Sequence, residues 1–230
     1  MTLSRREQAR IETTAEIKAI ARQQMAEVGA AALSLRAIAR EMGMSAPALY
    51  RYFENRDALV TALIVEAYES LGAALAAADA AVARGDLNGR FRAIAHAFRN
   101  WAIARPQDFT LIYGTPIPGY EAPKEQTIPP AGNVLRQFGL VLHDVAQVGK
   151  LQVSSHYSDL PAGLQQAVDD LRPFLPEGAV TAAITLTLVI WSVLYGLIWA
   201  ELYGHFPPGL AESGELYMME VAALCGRLGL

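Results

Sequence analysis

Within the segment SAPALYRYF, residues 45–53, five side chains combine apolar surface, an aromatic hydroxyl and a guanidinium: Ala46, Pro47, Ala48, Tyr50 and Arg51. That mixture suits the major groove of DNA. Alanine and proline can pack on thymine methyls, tyrosine can reach a base edge or a phosphate, and arginine pairs with guanine or with the backbone. No catalytic set competes with it: paired carboxylates, a Ser/His/Asp or Cys/His arrangement and a phosphate loop are all missing from the sequence pattern, and Gly114 and Gly119 follow no nucleotide-binding spacing. His96, His143, His156 and His205 are scattered without metal-ligand spacing, so neither a metal nor a cofactor is expected. The reading is not an enzyme.

Presenting those five residues requires two short helices and a tight turn. In SLRAIAREMGMSAPALYRYF, Ser34 and Ser45 stand as N-caps, and Gly43 supplies the positive φ that an abrupt turn needs. Pro47 falls in a first turn, where its missing N–H is tolerated. Leu35, Ile38, Met42, Met44, Leu49 and Phe53 then face inward, with Ala39 small at the crossing. A longer helix from about Ser4 to Gly29, striped by Ile17, Ile20, Ala21, Met25 and Val28, precedes the pair. This is the layout of a helix-turn-helix, although a helical corner that meets no DNA would show the same pattern.

Periodicity predicts further helices from Asn55 to about Gly85, from Asn88 to Pro106 with a short continuation through DFTLIYG, and near 131–149, 161–172, 179–200 and 211–228. GTPIPGYEAPKEQTIPP, with five prolines, is expected to be a packed loop. The fold class is all-α, an N-terminal helix-turn-helix domain over 1–57 followed by a larger helical domain over 58–230. Residues 1–60 carry nine Arg/Lys and seven Asp/Glu, whereas the whole chain of 230 has a net charge of −4. A mildly basic front on an acidic body argues against indiscriminate nucleic-acid binding. The lone Cys225 and an N-terminus without an apolar leader point to the cytoplasm.

The segment S34-L-R-A-I-A-R-E-M-G-M-S-A-P-A-L-Y-R-Y-F-E-N-R-D-A-L closely resembles the DNA-binding signature of TetR-family transcriptional repressors, T-x-x-x-I-A-x-x-x-G-V-S-x-x-x-L-Y-x-Y-F-x-x-K-x-x-L. Met44 replaces the usual Val and Arg56 the usual Lys. The resemblance implies that Arg36 reaches a base edge, that Ala46, Pro47 and Ala48 form the base-facing turn, and that Ser34, Ser45, Tyr50, Tyr52 and Arg56 contact phosphates, with Arg51 beside them. Arg56 also opens a helix whose N-terminal N–H groups favour a phosphate. One such module makes few base contacts, so specificity calls for two copies on a palindrome, with half-sites about 34–36 Å apart.

That requirement bears on AVTAAITLTLVIWSVLYGLIWA, residues 179–200, which carries no charge and would extend roughly 33 Å as a helix. It is long enough to span a bilayer. Its flanks, however, are Glu177 and Glu201 without a Lys/Arg cluster, and it contains Thr181, Thr185 and Thr187. In TetR-like proteins the last two helices pair with those of a second copy, and a helix covered on both sides can be apolar all round. No membrane is expected. Gly196, in mid-helix, fits a close approach between such helices.

W191-S-V-L-Y-G-L-I-W-A-E-L-Y-G-H-F206, with Y113-G-T-P-I-P-G-Y-E-A-P123, resembles the ligand-sensing C-terminal domain of the WHG type, with Tyr195 in place of the histidine before Gly196. Phe98, Trp101, Phe109, Tyr113, His143, Trp191, Tyr195 and Trp199 could wall a pocket for an apolar or aromatic effector. Plain core packing is the other account of each. The expected protein is thus a homodimeric repressor that binds double-stranded DNA and is released by a small molecule. An activator or ligand-independent regulator of the same fold, or an all-α small-molecule carrier without DNA activity, are the alternatives.

Overall fold

The computed structural model describes residues 4–157, 159–207, 209–210 and 214–230. Ten helices are described here: α1 (Arg5–Val28), α2 (Leu35–Glu41), α3 (Ala46–Tyr50), α4 (Arg56–Ala80), α5 (Leu87–Ala104), α6 (Pro106–Tyr113), α7 (Lys124–Gln147), α8 (Ala162–Leu171), α9 (Thr181–Leu202) and α10 (Glu215–Leu228). Short 3₁₀ turns occupy Ala30–Ala32, Ser155–Tyr157 and Arg172–Phe174. Among the described residues there is no strand. The chain forms two compact units, the first made of the residues up to Ala67 with 107–127, the second of 68–106 with 128–230. The first unit therefore includes the start of α4 and most of α6, beyond the 1–57 segment read as the DNA-binding domain.

Side-chain caps open α1, α2, α4 and α5. The Ser4 hydroxyl accepts from Glu7 N–H while the Glu7 carboxylate accepts from Ser4 N–H, a reciprocal capping box. Asp86 accepts from Gly89 N–H to open α5, and the Asn55 side chain accepts from Ala58 N–H to open α4. α4 stops at Ala80, short of the predicted Gly85, because Val82 N–H bonds to Asp79 and Asp86 N–H to Ala83 in successive turns. The 211–213 start predicted for the last helix lies outside the described residues.

One expectation is corrected outright. Pro129 and Pro130 belong to α7, which begins at Lys124, not to a loop. The prolines remove two N–H donors, but the carbonyls left without them belong to Glu125 and Gln126, both exposed, so water can serve those acceptors. Thr127 Oγ1 additionally donates to the Pro123 carbonyl at 3.0 Å. The remaining loop is tied down, since the Tyr120 hydroxyl lies 2.9 Å from that of Thr61 on α4.

The first unit is braced by charge as well as by its core. Lys18 of α1 meets Glu66 of α4 at 2.5 Å, and Arg22 meets Asp108 of α6 at 2.7 Å and Glu66 at 3.4 Å. In the second unit Phe138 of α7 stands edge-on to Phe91 and Phe98 of α5. α7 is notched by two glycines: a Cβ at Gly132 would lie 2.3 Å from the Phe174 ring, and one at Gly139 would lie 2.2 Å from Leu175 Cδ2. The segment after α8 thus packs directly on the α7 backbone. Arg99 of α5 binds Glu201 at the end of α9 (2.8 Å from Nε), and Tyr217 of α10 donates to the Ala95 carbonyl at 2.7 Å. Glu201 is therefore an internal partner. α4 and α9 are long and apolar enough to cross a membrane by length and composition, but half of the most apolar window of α9 is buried within the chain.

Candidate functional site

The turn between α2 and α3 follows from one residue. Gly43 adopts φ +66°, its N–H bonds to the Arg40 carbonyl at 3.1 Å, and Met44 N–H bonds to the Ala39 carbonyl at 2.8 Å. These two bonds form a Schellman motif, which ends α2 and reverses the chain within two residues. Ser34 caps α2 by accepting from Ala37 N–H. Leu35, Ile38, Ala39, Leu49 and Phe53 are buried beneath the pair, with Met42 and Met44 half-buried at its edge. The hydrophobic seam that fixes the two helices leaves their other faces free.

Those faces carry the expected residues. Pro47, Tyr50 and Arg51 of the α3 region and Arg36 of α2 are exposed, and Ala46 and Ala48 are half-buried between them. Ser45 occupies the N-cap position of α3 without a side-chain capping bond, so its hydroxyl stays available to an external acceptor. Ser34 is half-buried and already engaged as a cap. Arg56 is turned partly inward: it donates to the Ala30 carbonyl at 3.1 Å, meets Asp57 at 3.5 Å, and its Nε is buried without a partner among the described residues. Its position braces the turn between α1 and α2. Two cations not singled out in the sequence join this surface. Arg40 is exposed on α2, and Arg10 of α1 lies over the Tyr52 ring, 5.9 Å from its centroid. Arg10 was invisible because its partner lies 42 positions along the chain.

The eight aromatic and polar residues read as a pocket wall are distributed over both units. Phe109 and Tyr113 stack edge-on in the first, 5.2 Å apart. In the second, Phe98 is fully buried, Trp101 donates from Nε1 to Ser70 at 3.0 Å, and Trp191 stacks on Tyr195 at 5.4 Å. Trp199 stacks on His205 at 4.6 Å. His143 Nδ1 is buried without a hydrogen-bond partner among the described residues. Phe98 packs edge-on against Phe138, so core packing accounts for it. Burial pushes the Tyr195 hydroxyl above its ordinary range. Among the described residues no group of three or more His, Cys, Asp or Glu could hold a metal ion.

The geometry of the first unit agrees with comparisons to known proteins. Residues 17–63 match the family described as bacterial regulatory proteins, tetR family, and residues 91–224 match the tetracyclin repressor-like C-terminal domain. The HTH-type transcriptional regulator Rv1816 of Mycobacterium tuberculosis is 31% identical over 204 residues, covering 89% of this chain and 86% of the relative. The chain belongs to the TetR family of transcriptional regulators. The regulator Mb1846 of Mycobacterium bovis is similar to the same extent. Among solved structures, that of SCO4313, a protein assigned a regulatory role, superposes with a TM-score of 0.77 at 39% identity over 97% of this chain and 100% of that one. A tetR-family regulatory protein from Rhodococcus RHA1, at 18% identity, shares the fold with a TM-score of 0.63 over 94% of this chain and 96% of its own. Being a TetR-family regulator, the chain has DNA as the partner class for its helix-turn-helix, and a helical C-terminal domain follows it in sequence.

Proposed function

We propose that this TetR-family regulator is a repressor that binds a palindromic operator as a homodimer and leaves it when a small apolar or aromatic effector binds the second unit. The observation that carries the DNA assignment is the uncovered face of α2 and α3, where Arg36, Pro47, Tyr50 and Arg51 stand exposed over a buried seam. In the proposed complex Ala46, Pro47 and Ala48 meet base edges and Arg36 reaches a neighbouring base. Ser34, Ser45, Tyr50 and Tyr52 hold phosphates, joined by Arg51 and by the N–H groups of Arg56 that its bond to Ala30 leaves over.

Pairing through α9 and α10 is supported by what these helices leave uncovered. On α9 the residues Val189, Ser192 and Gly196 are exposed, and on α10 Met219, Ala222, Ala223 and Gly226. A Cβ at Gly196 or Gly226 would meet nothing within 4 Å of its own chain. Each mid-helix glycine costs roughly 1 kcal/mol against alanine, a cost that a closely approaching second copy would repay. The effector would act through α4, which begins in the head and continues into the second unit, by changing the spacing of two heads on a duplex. A coupling of about 1–3 kcal/mol changes operator affinity about 5- to 150-fold. The setting is cytoplasmic.

The test is a gel shift with DNA selected by the purified chain. Tyr50→Ala should weaken binding while sedimentation still reports a dimer, and Gly196→Leu should weaken pairing while the fold persists. Wild-type operator affinity in Tyr50→Ala would remove the DNA assignment.

A further inference from the structure

The second unit contains a cavity of about 490 Å³ that none of the eight expected pocket residues lines. Its floor is Leu186, Ile190 and Val193 of α9 with Leu224 of α10, and its third wall is the 152–157 segment, which contributes Ser154 and Tyr157. That wall is built rather than incidental. Gln152 N–H donates to the Leu228 carbonyl at 3.3 Å, and a Cβ at Gly229 (φ +78°) would lie 2.4 Å from the Lys150 carbonyl oxygen. Glycine at 229 is therefore what lets the segment close onto the end of α10. Val153 and Val189 on the rim remain exposed.

The volume falls in the range of small-molecule sites, and the lining combines an apolar floor with a few polar groups at the edge. The charge of those groups selects the occupant. Arg227 lines the cavity, yet its guanidinium is already bound to the Glu220 carboxylate. The same end of the cavity adjoins the C-terminus of α10, where the helix dipole disfavours an anion. An uncharged head, a hydroxyl or carbonyl, can instead be met by the hydroxyls of Ser154 and Tyr157 and the N–H groups of Arg227 not held by Glu220.

We propose that this groove between α9, α10 and the 152–157 segment is a binding site for a small uncharged amphiphile. The site is distinct from the aromatic residues named above and does not depend on DNA binding. Val189 belongs to the face proposed for pairing and Val193 adjoins it, so a second copy is the competing occupant.

The experiment titrates the full-length chain with two fluorescent probes that share one ring system, N-phenyl-1-naphthylamine, which is neutral, and 8-anilinonaphthalene-1-sulfonate, which is anionic. The neutral probe should bind one site per chain, about tenfold or more tighter than the sulfonate. Ser154→Trp, which fills the mouth from an exposed position, and Val193→Trp, which fills the floor, should each weaken it about tenfold. Sedimentation of both variants separates lost binding from lost pairing. Equal affinity for the two probes would overturn the proposal, as would unchanged binding in Ser154→Trp with loss in Trp191→Ala. Affinity that falls as chain concentration rises would assign the groove to the second copy instead. Because no DNA is present, failure here leaves the operator reading intact, and failure of operator selection leaves this result intact.

Discussion

Replacing Arg90 with methionine should destabilise the second unit more than almost any surface change. Arg90 is fully buried on α5, and its guanidinium binds Asp79 of α4 at 2.7 and 3.3 Å and Asp144 of α7 at 2.7 Å. Burial alone would raise the Asp79 carboxyl, but hydrogen bonds and charge from Arg90 and Arg84 outweigh it and hold the group below the usual carboxylate range. Methionine keeps the unbranched stem and the helix propensity of the side chain and removes the guanidinium with its charge. Asp79, its side chain 9% exposed, is then left with Arg84, which is 62% exposed. Breaking a buried pair from one side costs about 3–5 kcal/mol. The lower end, about 3 kcal/mol, applies because Asp79 keeps one partner and Asp144 can turn to water.

Urea unfolding followed by circular dichroism, at fixed chain concentration because the proposed pairing would add to apparent stability, measures the loss. Its pH dependence has a definite sign. A depressed folded-state pKa contributes stability above the unfolded value of about 3.9, and that contribution is lost as pH falls through the folded value. In Arg90→Met burial acts on Asp79 with less compensation, so its pKa rises and protonation relieves the stranded charge. The gap between wild type and variant should therefore narrow as pH drops toward 4, and Arg90→Met/Asp79→Asn should recover part of the loss. A deficit under about 1 kcal/mol, or one independent of pH, would refute the argument.

Other outcomes follow from single positions. Gly43→Ala meets no neighbour, so its cost is the left-handed backbone alone, about 1–2 kcal/mol; urea unfolding should show that loss, with weaker operator binding in a gel shift. Gly132→Ala should destabilise more than Gly139→Ala in the same unfolding assay, because the first meets the rigid Phe174 ring and the second the end of a leucine that can rotate. His96 is held below its usual pKa by burial and then by Arg92 and Arg99. Folding therefore favours its neutral form, and the melting temperature should fall as pH drops below about 6.5, less so in His96→Gln.

The turn between α2 and α3 was legible in the sequence because the features that shape it are local. Ser34, Gly43 and Pro47 each act on backbone within a few residues, and the spacing of Leu35, Ile38, Leu49 and Phe53 sets which faces remain outside. What escaped depended on distance or on tolerated rule-breaking. The prolines at 129 and 130 signal a loop by their chemistry, and only exposure of the carbonyls they strand makes helix acceptable there. The Ala-rich stretch after Ala77 has helix propensity throughout, so nothing in its composition marks the stop at Ala80. Arg90 looks like one more cation on an amphipathic helix, since Asp79 and Asp144 reach it from α4 and α7. The groove beside α9 rests on Gly229, whose role appears only when Lys150 lies against it.

The central claim is that two copies of this chain read an inverted repeat through α2 and α3. Selection of random double-stranded DNA by the purified full-length chain, with sedimentation of the complex, tests it most directly. The account predicts an enriched palindrome with half-sites about 34–36 Å apart, bound by two chains or a multiple of two. Enrichment of no sequence, or of a single unrepeated site bound by one chain, would contradict it.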